Sequence, residues 1–112
     1  MPEAQTPVSL PAEVDQLLHR LGVPRTAHTR GELTVRSPVS GEVIAQVPQT
    51  TAVEATAAIG RAHEAFKAWR LVPAPRRGEL VRLLGEELRA AKRDLGRLVT
   101  LEAGKIPSEG AG

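Results

Sequence analysis

The side chains here that could do chemistry are His19, His28 and His63, a Gly104-Lys105 pair, a glycine-rich end and a run of arginines; cysteine is absent. Without a thiol these residues can form no disulfide, offer no thiolate ligand and supply no cysteine nucleophile. The three histidines stand in three different predicted elements. No two have the i, i+3 or i+4 spacing that puts paired imidazoles on one helix face, so no metal set is expected. Gly104-Lys105 invites a phosphate-loop reading, in which backbone N–H groups wrap phosphate and a hydroxyl reaches Mg²⁺. That loop needs glycine five places before Gly104 and Ser or Thr after the lysine. Val99 and Ile106 stand there. Gly110-Ala111-Gly112 has neither a preceding strand nor a following helix, so the dinucleotide fingerprint fails as well. The expected reading is a glycine helix stop followed by coil. No serine lies in a Gly-x-Ser-x-Gly context, which leaves a nucleophile elbow without support. Arg76, Arg77, Arg82, Arg89, Arg93 and Arg97 are interleaved with Glu79, Glu86, Glu87 and Asp94, the pattern of a solvated face rather than a phosphate track. No catalytic, cofactor-binding or metal-binding residue is therefore expected in this chain.

Composition supports that restraint. With 112 residues, the chain is long enough for one small domain and one core. Fifteen Lys and Arg against 13 Asp and Glu leave a formal charge of only +2, so the pI near 9.7 reflects a small surplus rather than a basic arm. The only aromatics, Phe66 and Trp69, are too few for a base-stacking surface. No nucleic-acid partner is expected. The start carries neither a basic nor an apolar leader region, and no apolar run approaches the ~18 residues of a membrane span. A soluble, cytoplasmic protein with no membrane partner is the expectation.

The elements that must position these residues follow from spacing. Residues 1–10 lack periodicity and predict a mobile terminus. From Pro11, Val14, Leu17, Leu18 and Leu21 make one helical stripe that closes at Gly22. Residues 23–31 read as loop. Leu33–Arg36 and Val43–Val47 are short β-branched runs separated by Ser37-Pro38-Val39-Ser40-Gly41, predicting an antiparallel hairpin with a loop of four to five residues. Thr51-Ala52-Val53-Glu54 fits a capping box, so a helix should start near residue 52 with Ile59, Ala62, Phe66 and Trp69 on one face. Val72-Pro73-Ala74-Pro75 stops it, and Pro75 suits the first position of a helix striped by Leu80, Leu84, Leu88 and Ala91. The pattern slips at 92–94. Leu95, Leu98, Val99 and Glu102 then predict a further helix ending at Gly104, and residues 107–112 carry no terminal element. Each stripe is narrow and lacks an opposing sheet, so a larger partner is expected.

The tract from Val35 to Val47, with Ser37-Pro38-Val39-Ser40-Gly41-Glu42 before its apolar strand, resembles the entry hairpin of the aldehyde dehydrogenase superfamily. That hairpin usually reads Asn-Pro-x-Thr-Gly-Glu, so Ser37 and Ser40 are small departures. Ala65-Phe66-Lys67-Ala68-Trp69, Pro75-Arg76-Arg77-Gly78-Glu79 and Leu101-Glu102-Ala103-Gly104-Lys105 follow in the family's order, so the resemblance covers about residues 32–106. Leu18–Gly22, Val72–Glu79, Leu95–Val99 and Ile106–Gly110 look most like the α-aminoadipic semialdehyde dehydrogenase (antiquitin-like) branch.

The resemblance implies an α+β fragment, mainly amphipathic helices with one antiparallel hairpin, belonging to a larger α/β enzyme. Residues 11–112 would be its N-terminal portion, truncated before the dinucleotide-binding core. Family members oxidise an aldehyde to a carboxylate with a cysteine thiolate and NAD or NADP. The cysteine, the glutamate base, the oxyanion asparagine and the cofactor-contacting glycine turn would all lie beyond Gly112. Glu102, Gly104 and Lys105 match a family motif as a helix end and its cap. The segment itself would bind no cofactor. Its partner would be the remainder of the parent enzyme, a homo-oligomer when complete. The reading from another class is a free-standing α-helical interaction module without enzymatic activity.

Overall fold

The computed structural model describes residues 8–112, so most of the terminus expected to be mobile, residues 1–7, lies outside the described residues. The elements in order are α1 (Leu10–Arg20), a 3₁₀ turn (Arg25–Ala27), β1 (Leu33–Arg36), β2 (Val43–Val47), α2 (Ala52–Trp69), α3 (Ala74–Ala90), α4 (Lys92–Ala103) and α5 (Pro107–Gly110). They divide into two compact units: the chain up to Pro48 joins Ala91–Gly112, and Gln49–Ala90 stands as the second. The first unit is discontinuous because its core needs both ends of the chain.

That core is small. Val14 and Leu17 of α1, Ile44 of β2 and Leu101 of α4 are buried together, with Leu10, Leu18, Val35 and Leu98 packed partly around them. The stripe at 14, 17 and 18 thus faces the core as its spacing requires. α1 begins one residue earlier than expected, because the Ser9 hydroxyl caps it by accepting from the Ala12 N–H at 3.4 Å. β1 and β2 pair antiparallel from Leu33 opposite Val47 to Arg36 opposite Val43, with one irregularity between Val35 and Arg36. The Ser37 N–H donates to the Glu42 carbonyl at 2.9 Å, which leaves Pro38, Val39, Ser40 and Gly41 as the turn. Gly41 takes φ +78, the left-handed conformation expected of it. The 23–31 segment is more than loop: the Gln46 N–H donates to the His28 carbonyl at 2.8 Å, so it pairs with β2 after its 3₁₀ turn.

Ser37 joins the hairpin to α4. It is buried, and its Oγ donates to the Leu101 carbonyl at 2.6 Å while accepting from the Val39 N–H at 3.2 Å. A helix-end carbonyl is thereby satisfied by a residue 64 positions earlier.

The expectation that residues 107–112 carry no terminal element is corrected by α5. Proline opens this single turn with its φ already fixed. Gly110 then sits so close to α4 that a Cβ there would lie 2.6 Å from the Gly96 carbonyl oxygen and 2.8 Å from Thr100 Oγ1. Four residues are too few to show a helical period, so this element is specified by packing.

In the second unit, the capping box of α2 is complete: Thr51 Oγ1 accepts from the Glu54 N–H at 3.1 Å, and the Thr51 N–H donates to Glu54 Oε2 at 2.8 Å. α3 starts at Ala74, which places Pro75 second in the helix rather than first. The Arg77 Nε–H donates to the Val72 carbonyl at 3.0 Å and ties the joint. Neither helix has a buried residue. Ile59 is 71% exposed, and Leu80, Leu84 and Leu88 are more than half exposed.

Candidate functional surfaces

The structure brings together two pairs that sequence spacing left unconnected. Arg97 donates to Glu13 at 2.6 and 3.1 Å, and Arg20 donates to Asp94 at 2.9 and 3.1 Å, so two bidentate forks clamp α1 to α4. The Arg97 hydrogen bond holds the Glu13 carboxyl below the usual carboxylate range, against the opposing effect of partial burial. The Arg20 hydrogen bond does the same for Asp94. A signal for this was present: 13 and 20 lie seven apart on one helix, and 94 and 97 lie three apart on the other, so each pair shares a face. Treating all the arginines as a solvated face was right for α3, where Arg82 pairs with Glu79 and Glu86, and Arg89 with Glu86. It missed Arg97 and Asp94.

Between the forks lies a cavity of about 440 Å³ with Leu17, Gly96, Pro107 and Ala111 among its walls and Arg93 at its side. Both carboxylates and two of the three arginines there are already engaged with one another. It is a seam between helices with no nucleophile and no free acid–base pair.

The histidines do not converge. His19 is exposed in the last turn of α1, and His63 lies on α2 with its ring centroid 6.3 Å from that of Phe66. His28 is buried; its Nε2 has no hydrogen-bond partner and stands 4.0 Å from Asp15 Oδ1, which is itself 3.5 Å from Arg25 Nε. That nearby guanidinium opposes any cation at Asp15. Among the described residues, no three of His, Asp and Glu are placed to hold a metal ion.

The glycines do not fit a dinucleotide. Gly104 ends α4 with φ +74, and a Cβ on it would meet the Pro38 ring at 3.1 Å, so its open side faces the hairpin turn. Gly110 is held against Gly96 and Thr100. Both are occupied in packing, and neither presents backbone N–H groups to a phosphate from a strand-to-helix turn.

The remaining surface is apolar and belongs to the second unit. Around the junction of α2 and α3, Ala62, Ala65, Phe66, Ala68, Trp69, Val72 and Leu80 line a groove of about 730 Å³. Trp69 is 40% exposed and Phe66 51% exposed, and the Arg70 guanidinium lies 5.8 Å from the Phe66 ring centroid. Among the described residues, no helix is long and apolar enough to cross a membrane.

Comparison with known proteins adds what the geometry lacks. The profile of the aldehyde dehydrogenase family matches residues 2–112. Aldehyde dehydrogenase family 7 member A1 of Pisum sativum is 49% identical over 68% of this chain, a stretch that is 15% of that relative's length. The α-aminoadipic semialdehyde dehydrogenase of Rattus norvegicus is 46% identical over 74% of this chain and 16% of its own. Malonate-semialdehyde dehydrogenase 2 of Geobacillus thermodenitrificans is 40% identical over 89% of this chain and 21% of its own. The matched stretches are thus between 15% and 21% of these relatives.

Proposed function

The chain belongs to the aldehyde dehydrogenase family, and from that premise we propose that it is the N-terminal portion of an NAD(P)-dependent semialdehyde dehydrogenase that oxidises an aldehyde to a carboxylate. In this reading the segment itself is not catalytic. It has no cysteine thiol to add to an aldehyde carbon, and Gly104 and Gly110 are spent on packing. Its work is to dock: the first unit is a folded anchor, and the second offers apolar helix faces to the remainder of the enzyme. The complete protein would be a cytoplasmic homo-oligomer.

The observation that carries this proposal is the bareness of α2 and α3. Helices of 18 and 17 residues display Ile59, Phe66, Leu80, Leu84 and Leu88 at more than half exposure. Burying such a side chain from full exposure gains ~1.5–3 kcal/mol, of which roughly half or more is still to be gained at these positions. The relatives, by name semialdehyde dehydrogenases, supply the substrate class.

The test is a chimera in which this chain replaces the matching segment of the rat relative. The expected result is formation of reduced cofactor with α-aminoadipic semialdehyde, a blue shift of Trp69 emission relative to the chain alone, and loss of both on Phe66→Asp. The chain alone should form no reduced cofactor. Turnover by the chain alone would overturn the non-catalytic role. A sharply melting monomer of the chain alone with blue-shifted Trp69 emission would favour the free-standing interaction module instead.

A further inference from the structure

We draw no further inference here: the strongest candidate, the apolar groove around the junction of α2 and α3 walled by Phe66, Trp69, Val72 and Leu80, carries nothing beyond the docking already proposed, because nothing in the structure shows what covers it.

Discussion

α1 and α4 in one unit and α2 and α3 in the other carry the same kind of apolar stripe, and their fates differ completely. Val14, Leu17 and Leu101 are at most 2% exposed, while α2 and α3 bury no residue at all. The longer helices are the bare ones. An amphipathic face therefore states a need for a partner and does not say that the partner lies within the same chain. What holds α2 and α3 is local: a capping box worth about 1 kcal/mol and solvent-exposed i, i+3 or i, i+4 ion pairs such as Lys67–Glu64 and Arg82–Glu79. Such helices are near the marginal length for independent stability. The first unit has instead a buried cluster, a buried Ser37 hydrogen bond and two interhelical forks.

The sharpest way to break this comparison is to shorten one leucine in each unit. Leu101→Ala should cost about 2–5 kcal/mol, because it opens a cavity where Val14, Leu17 and Ile44 meet. Leu84→Ala, at a side chain 58% exposed, should stay within about 0.5 kcal/mol. Urea melts followed by circular dichroism decide between them, and equal losses would mean that α3 has its own cover.

Gly110→Ala should come next, at about 1–3 kcal/mol, since the new methyl meets a backbone carbonyl that cannot step aside. The readout is amide exchange along α4 and α5. Exchange at Gly96 and Thr100 should quicken while α2 and α3 stay unchanged.

Thr51→Ala removes the acceptor for the Glu54 N–H and should cost α2 about 1 kcal/mol. Because α2 buries no residue, this loss should appear as fraying at the amides of Val53 and Glu54 and leave the melt of the first unit in place.

The smallest effect is electrostatic. Glu13 and Asp94 are depressed below their ordinary values by the hydrogen bonds from Arg97 and Arg20. A depressed carboxyl contributes stability above its unfolded pKa and loses it as pH falls through the folded value. The α1–α4 clamp should therefore be constant near neutrality and loosen on acidification below the usual carboxylate range. Arg97→Met should return the Glu13 carboxyl to that range in a ¹³C titration and cost about 0.2–1 kcal/mol, as partly exposed pairs do. Glu79 is likewise depressed by Arg82, but its acid titration should fray α3 alone, since both partners lie on one helix.

The sequence by itself determined what is settled within a few residues. The strands fall at Leu33–Arg36 and Val43–Val47 as expected, the capping box starts α2, and prolines separate it from α3. Each rests on a φ constraint, on a hydrogen bond reaching three or four positions along the chain or, for the strands, on pairing between neighbours joined by one short turn. The order of the hairpin, the Ala65–Trp69 motif and the Leu101–Lys105 motif was enough to place the family, which the 2–112 profile match bears out. Only the tertiary structure decided which stripes are covered, that Ser37 satisfies the Leu101 carbonyl, that Glu13 meets Arg97, and that α5 exists at all. Ser37 reaches Leu101 across 64 residues, and Asp94 and Arg97 of α4 meet Arg20 and Glu13 of α1 across 74 and 84. A stripe encodes how much apolar surface needs cover, whereas the cover itself is set by where the chain returns.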